Sequence, residues 1–352
     1  MIRRRMIASL VVASSFFAAA HVSAEPRTAE VILAEYEGVK MPEFDASKRD
    51  DATYRESFMK QRQDALNKRN DLALELFKTK PDHPRVVDLM KVRWQGMVFS
   101  AVADLLKEVE PIAAGEGPLA VDASYFRAAA TVNQSRRSYA SSKDVVEAFI
   151  AKAPKDERAV QLLSDLAEGP ETKPDQTVEL YRRILKDYGQ ARAAKYVPGK
   201  IRQAEGLGKP FELAFQCATT GESVDMAKLK GKVVVVDFWA TWCGPCIAEM
   251  PKMKELYATY KPQGVEFIGV SLDQPEDKGG LTKLKDYCKN NDISWPQYYM
   301  GKGWESEFSA AWGINSIPAI FIVDAEGNLH STKARGKLDT LIPELIAKRD
   351  KK

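Results

Sequence analysis

The sequence predicts an all-helical region over residues 25–205 and an α/β domain, a mixed sheet flanked by helices, over residues 206–352. Before residue 205, apolar side chains recur at the three- and four-residue spacing of helices. Beyond it, short apolar runs that are typical of strands alternate with helical segments, which is the pattern of an α/β domain. The chain-breaking segment Gly-Leu-Gly-Lys-Pro at residues 206–210 separates the two patterns. A length of 352 residues suits two domains of ordinary size.

The clearest helix of the first region spans residues 176–188, where one stripe is apolar, at Val178, Tyr181, Leu185 and Tyr188. Further helices are predicted over residues 54–77 and 141–150. Breaks that contain Gly or Pro separate the helical segments, at residues 81–84, 115–118 and 169–174. This alternation predicts antiparallel helix pairs of a tetratricopeptide-like kind, although the strict repeat signature is not legible.

Strands and helices alternate in the second region. Five strands are predicted, at residues 211–217, 232–237, 265–272, 319–323 and 328–335. Four helices are predicted, at residues 243–260, 281–290, 306–312 and 338–348. The strand over residues 232–237 contains four consecutive valines, so we expect it to be buried on both faces at the centre of the sheet.

Residues 1–24 have the pattern of a signal peptide. Three arginines precede an apolar stretch at residues 6–20, and the small-residue segment Val-Ser-Ala at residues 22–24 suits cleavage before Glu25. The apolar stretch is shorter than the roughly 20 residues that a membrane-spanning helix needs. We therefore expect an exported, periplasmic protein, with an uncleaved membrane anchor as the alternative. Disulfides persist in such an oxidising compartment.

Charge gives no sign of a nucleic-acid partner. The chain has 52 Lys and Arg against 49 Asp and Glu. Without residues 1–24, which hold three arginines and no acidic residue, basic and acidic residues are equal in number. A nucleic-acid-binding domain would carry a basic excess.

The motif Phe-Trp-Ala-Thr-Trp-Cys-Gly-Pro-Cys at residues 238–246 is the strongest functional signal. Two cysteines at this spacing occur in redox sites, in zinc ribbons and at haem attachment sites. Here the pair follows a predicted strand and opens a predicted helix, no His follows Cys246, and no second such pair exists. This context favours a pair that cycles between dithiol and disulfide, without a metal or another cofactor.

The position of the pair explains why it should react. Cys243 would lie at a helix N-terminus, where unpaired N–H groups and the helix dipole stabilise a thiolate. Cys246, one turn on, would resolve a mixed disulfide formed by Cys243. Asp237 ends the buried strand, so desolvation should raise its pKa and allow proton exchange with Cys246. Trp242 flanks the pair and is expected to cover it.

Residues 210–349 resemble the TlpA/ResA class of exported thioredoxin-fold oxidoreductases. The resemblance rests on the segment Gly-Lys-Val-Val-Val-Val-Asp-Phe-Trp-Ala-Thr-Trp-Cys-Gly-Pro-Cys at residues 231–246, and on Glu249, Pro251, Ile317 and Pro318. It implies a thioredoxin-like fold for the second region. The looser likeness of the helical region to other exported redoxin-domain proteins implies no activity.

The resemblance also implies roles for individual residues. Asp237 would exchange a proton with Cys246, and Glu249 would adjust the pKa values of the cysteines, with an ordinary solvated carboxylate as the alternative for Glu249. Pro318 would follow a cis peptide bond opposite the cysteines, which leaves the backbone of Ile317 free to pair with an extended substrate.

The two other cysteines, Cys217 and Cys288, are interpreted as small buried apolar residues. A disulfide between them is the alternative, because export favours paired cysteines.

The predicted function is that of an exported thiol-disulfide oxidoreductase. The Gly-Pro pair between Cys243 and Cys246 is similar to that of reducing thioredoxins, which favours reduction of disulfides in exported proteins. A membrane thiol transporter of the CcdA or DsbD type would supply the electrons. The alternatives are a disulfide oxidase or isomerase, and a non-catalytic redox-sensitive binding protein or copper chaperone.

Overall fold

The structure is a computed structural model that describes residues 27–351. The predicted signal peptide at residues 1–24 lies outside the described residues. The chain divides into two compact units, one ending at Trp94 and the other beginning at Gln95. The domain boundary predicted between residues 205 and 206 falls within the second unit, and it stays a prediction.

Nine α-helices, two short 3-10 helices and no strand form the described chain from residue 27 to residue 205, which confirms the all-helical prediction. In the first unit α1 packs along α2, and in the second unit each helix from α4 to α9 packs on the next one. The tetratricopeptide likeness stays a prediction. The helices are α1 (Ala29–Gly38), α2 (Ala52–Thr79), α3 (Val86–Met97), α4 (Val102–Ala113), α5 (Ala120–Gln134), α6 (Tyr139–Lys152), α7 (Arg158–Ala167), α8 (Pro174–Tyr188) and α9 (Val197–Glu205).

Helix α8 shows how local chemistry sets these helices. Pro174 occupies its first turn, where the missing N–H costs nothing, and the backbone N–H of Lys173 donates to the side chain of Gln176 at 3.1 Å. Its buried side chains are Leu180, Tyr181, Ile184 and Tyr188. The stripe is rotated from the predicted one because α8 packs against both α7 and α9.

The second region is a five-stranded mixed sheet in the order β5-β4-β3-β6-β7, with β1 and β2 as a separate antiparallel pair. Strand β3 pairs in parallel with β4 and antiparallel with β6. This confirms the predicted mixed sheet. The strands are β1 (Ala214–Gln216), β2 (Ser223–Asp225), β3 (Val233–Trp239), β4 (Val265–Ser271), β5 (Gln297–Tyr299), β6 (Ala319–Val323) and β7 (Leu329–Ser331).

Helices cover the sheet on its long central strands. Helix α10 packs on β4, and α13 packs on β3 and α10. All seven residues of β3 are buried, as expected for a strand that is covered on both faces. The helices of this region are α10 (Gly244–Tyr260), α11 (Gly280–Asn290), α12 (Glu307–Ala311) and α13 (Leu338–Asp350).

Some elements differ from the predictions. Strands β2 and β5 have three residues each, too few to show an alternating pattern, and neither was predicted. The strand predicted over residues 328–335 ends at Ser331, because the N–H of Lys333 turns back to the hydroxyl of Ser331 at 3.0 Å. None of the helices in residues 27–351 is long and apolar enough to span a membrane.

Sheet register decides which loops meet. Ala319, the first residue of β6, lies opposite Phe238 near the end of β3. The loop that leads from β3 to α10 and the segment that precedes β6 therefore leave the sheet at the same edge.

Candidate active site

A disulfide joins Cys243 and Cys246 at the start of α10, with their Cα atoms 5.3 Å apart. Cys243 is the cap residue before Gly244, and its sulfur accepts a hydrogen bond from the backbone N–H of Cys246 at 3.2 Å. Pro245 stands in the first turn, where its missing N–H leaves no bond unmade. The sulfur of Cys243 thus faces the unpaired N–H groups of a helix N-terminus, the setting that stabilises a thiolate.

The loop between β3 and α10 is held by a buried carboxylate that was not among the predicted site residues. Asp273 accepts the backbone N–H of Thr241 at 3.1 Å and the Thr241 hydroxyl at 2.6 Å. It also accepts the hydroxyl of Ser271 at 2.7 Å, and only 1% of its surface is exposed. Because Thr241 lies two residues before Cys243, Asp273 fixes the backbone that presents the disulfide.

Asp237 lies inside the sheet, between Gly269 of β4 and Ile320 of β6. It is 5% exposed, and its Oδ1 has no hydrogen-bond partner. Burial raises the pKa of Asp237 to about 7; the negative charge of Glu249 adds to this rise and the positive charge of Arg335 opposes it. A carboxyl group with a pKa near 7 can both take and give a proton at neutral pH.

Glu249, on the second turn of α10, forms an ion pair with Arg335. The Nε of Arg335 donates to Glu249 Oε1 at 2.9 Å, and the Nη2 of Arg335 donates to the same oxygen. The two side chains border a cleft of about 460 Å³ that is also lined by Ile320, the register partner of Asp237. Glu249 is therefore an ion-paired, partly exposed carboxylate whose charge raises the pKa of Asp237, and its role in adjusting the cysteine pKa values stays a prediction.

The Ile317–Pro318 peptide bond is cis, as the resemblance implied. Both residues are half-buried, and they directly precede Ala319, which pairs opposite Phe238. Sheet register thus places this segment at the edge of the sheet where β3 leads to Cys243. The substrate-pairing role of Ile317 and Pro318 stays a prediction.

Two tryptophans from different segments form an aromatic pair beside the site. Trp242 is 47% exposed, and its ring meets Trp304 edge to face with centroids 6.0 Å apart. Trp304 follows β5 by five residues and was not among the site residues predicted from the sequence. Trp239, in contrast, is fully buried and donates its indole N–H to Gln297 at 3.0 Å, so it belongs to the core.

Cys217 and Cys288 are buried free thiols, which agrees with the primary interpretation of these cysteines. Burial favours the neutral thiol of Cys217, but hydrogen bonds, first from Thr219, outweigh burial and lower its pKa to about 7. Burial raises the pKa of Cys288 to about 12. Within residues 27–351, no group of three or more His, Cys, Asp or Glu side chains could hold a metal ion.

Comparison with known proteins places this geometry in a family. A family model described as Redoxin matches residues 206–340. The thiol-disulfide oxidoreductase ResA of Halalkalibacterium halodurans is 33% identical over 126 residues, which make up 36% of this chain and 67% of that protein. ResA of Bacillus cereus strain ZK / E33L is 35% identical over 109 residues, 31% of this chain and 58% of that protein.

The chain thus spans less than two thirds of the length of the Bacillus relatives. Among solved structures, a thiol:disulfide interchange protein of the thioredoxin family from Chlorobium tepidum TLS is 28% identical, with a TM-score of 0.32. That match covers 39% of this chain and 94% of the other. Through its redoxin domain at residues 206–340, the chain belongs to the ResA family of thiol-disulfide oxidoreductases.

Proposed function

We propose that this protein is an exported thiol-disulfide oxidoreductase that reduces disulfides of exported proteins through Cys243 and Cys246. One observation carries the proposal: the two cysteines form a disulfide at a helix N-terminus, on the strand–helix unit that also holds the buried Asp237. A structural role explains this disulfide poorly, because a bridge that encloses two residues restrains little of the unfolded chain.

The reaction begins with the dithiol form. The thiolate of Cys243 attacks one sulfur of the client disulfide, a mixed disulfide forms, and the other client sulfur leaves as a thiolate. Asp237 takes the proton of Cys246, whose thiolate then attacks the sulfur of Cys243. The client leaves with two thiols after gaining two electrons, and the protein is left as the disulfide seen in the structure.

The charges around Asp237 fit this proton transfer. Desolvation holds its pKa close to neutral, so that the carboxylate form is available to accept a proton and the acid form to return it. Glu249 favours the protonated form, and Arg335 opposes that effect. We therefore assign Glu249 and Arg335 to the tuning of Asp237, and through it of Cys246.

Export and electron supply complete the proposal. The signal-peptide pattern of residues 1–24 supports export to the periplasm. In an oxidising compartment the dithiol must be regenerated, and a membrane thiol transporter of the CcdA or DsbD type has the required chemistry. The Gly-Pro pair between the cysteines favours reduction over oxidation or isomerisation.

Reduction of insulin disulfides with dithiothreitol as electron donor tests the activity. The wild-type protein should accelerate precipitation of the insulin B chain, and the Cys243→Ser variant should not. No acceleration by the wild-type protein would overturn the proposal, and tight Cu(I) binding by that inactive protein would favour the copper-chaperone alternative.

Thiol trapping in cells tests the direction. For a reductase, the Cys243–Cys246 pair should be mostly dithiol, and it should become disulfide when the membrane transporter is deleted. A pair that is mostly disulfide in both strains would instead indicate an oxidase.

A further inference from the structure

A cleft of about 320 Å³ with a mixed polar and apolar lining lies where helices α7, α8 and α9 meet the segment that leads to the cis-proline. Its walls include Tyr181 and Lys200 from the helices, and Asn315, Ser316 and Lys333 from the redoxin domain. Ser316 is two residues before Pro318, and two residues of chain span at most about 7 Å. The cleft therefore opens directly beside the position where an extended client would pair.

The helical wall of the cleft and the redoxin-domain wall are in direct contact. At Gly199 of α9 an added Cβ would lie only 2.0 Å from the backbone nitrogen of Gly313, so the two backbones touch. The side-chain amide of Gln203 donates to the carbonyl of Trp312, and the Arg202 guanidinium lies 4.4 Å from the centre of the Trp312 ring. A client seated in this cleft would thus meet a preformed surface, which lowers the entropic cost of binding.

The charges in the cleft leave one cation available. Among the described lining residues, Glu168 supplies the single carboxylate. Lys200 pairs with this carboxylate at 2.9 Å, and Tyr181 donates to it at 3.1 Å. The exposed Lys333 instead donates to the backbone carbonyl of Glu168 at 3.2 Å and forms no ion pair with its carboxylate. Partial burial lowers the pKa of Lys333, and the charge of Glu168 opposes that effect.

We propose that this cleft binds an acidic side chain of the client polypeptide, about two to five residues from the client cysteine, with Lys333 as its principal contact. The proposal rests on the proposed function and adds a substrate preference to it. The helical domain would thereby take part in client selection, because it supplies one wall of the cleft.

Matched disulfide peptides test the preference. Each peptide carries Glu or Gln at a position two to five residues before or after its cysteine, and a small uncharged disulfide, hydroxyethyl disulfide, serves as the reference substrate. At low salt, kcat/KM of the wild-type protein should be about fivefold higher for the best Glu peptide than for its Gln partner, through a lower KM. The preference should fall as salt is added.

Charge variants assign the preference to the cleft. Lys333→Gln should remove the Glu preference and leave turnover of hydroxyethyl disulfide unchanged. Lys289→Gln, at an exposed lysine outside the lining, should retain the preference. Free glutarate at millimolar concentration should compete weakly; competition as strong as that of the Glu peptide would mean that the cleft binds small carboxylates, against the proposal.

A steric variant provides an independent check. Ala204→Trp places a large ring in the cleft and should abolish the Glu preference, whereas Lys186→Trp on an exposed position of α8 should not. Equal kcat/KM for Glu and Gln peptides in the wild-type protein, with normal turnover of hydroxyethyl disulfide, would overturn the cleft proposal alone. Failure to turn over hydroxyethyl disulfide would overturn the proposed function itself.

Discussion

Arg335 forms paired hydrogen bonds with Glu249, and this ion pair supplies the charged surroundings of the buried Asp237. Its two members act on Asp237 in opposite directions, since the carboxylate of Glu249 disfavours ionisation and the guanidinium of Arg335 favours it. Burial raises the pKa of Asp237, and this ion pair at the surface adjusts it further.

This relationship predicts opposite effects of two neutral substitutions. Glu249→Gln should lower the pKa of Asp237 below about 7, and Arg335→Gln should raise it above about 7. Carboxyl carbon NMR of Asp237 in the disulfide form measures both midpoints. Arg182→Gln, at an exposed arginine of α8, serves as control and should not move the midpoint. Shifts of the two test variants in the same direction would contradict the assignment.

The raised pKa of Asp237 also predicts how stability depends on pH. The folded-state pKa of about 7 lies above the ordinary aspartate pKa of 3.8, so the folded protein binds more protons than the unfolded chain between these pH values. The free energy of unfolding should therefore fall as pH rises from about 4 to about 7. Each pKa unit corresponds to about 1.4 kcal/mol, so ionised Asp237 costs several kcal/mol above pH 7.

Asp237→Asn removes that cost. The difference in melting temperature between this variant and the wild-type protein should become more positive as the pH rises from 5 to 8. The variant should also release its client more slowly, because the proton acceptor is lost. Thermal unfolding of the disulfide form at both pH values measures the first effect, with Asp286→Asn at an exposed position as control. A difference in melting temperature that does not change with pH would show that Asp237 is not desolvated as described.

Asp273 should be a positioning residue. Asp273→Ala leaves the backbone N–H of Thr241 without its partner, and the loop before Cys243 should lose its fixed geometry. We expect turnover of a small disulfide to fall by roughly 10- to 100-fold. Thr241→Val removes one hydroxyl bond but keeps the backbone bond, so its loss should be smaller. Equal activity of both variants and wild type, with circular dichroism unchanged, would show that the loop needs no such support.

The contact between α9 and the redoxin domain predicts a stability effect at a distance from the chemistry. Gly199→Ala forces a methyl group against the backbone of Gly313 and should destabilise the second unit by about 1–3 kcal/mol. Gly96→Ala, at a helical position where a Cβ has no neighbour within 4 Å, is the matched control and should not destabilise it. Differential scanning calorimetry compares the two. An unchanged melting temperature for Gly199→Ala would mean that the helix is not held against Gly313.

The sequence predicted those features that depend on neighbouring residues. The central strand β3, the helix that starts after Cys243 and the breaks between the helices all follow from local apolar patterns and chain-breaking residues. The family resemblance supplied the cis bond before Pro318, which residue preferences alone would have assigned as trans.

The missed features join residues that are far apart in the chain. Arg335 and Glu249 are 86 positions apart, and Asp273 and Thr241 are 32 apart. Strand β5 was missed because it has only three residues and its Gln297 is polar, although this side chain is fully buried and accepts a hydrogen bond from an indole N–H. Such pairings depend on the order of the strands in the sheet. The apolar periodicity of a single segment carries no information about that order.

The identity of the attacking sulfur is tested most directly by trapping the mixed disulfide. A Cys246→Ser variant, reduced and then mixed with a disulfide peptide, should form a covalent adduct on Cys243 that mass spectrometry locates and that a reductant releases. The Cys243→Ser variant should form no such adduct under the same conditions. Adducts on Cys217 or Cys288, or equal trapping by both variants, would contradict the account that the helix N-terminal Cys243 carries out the exchange.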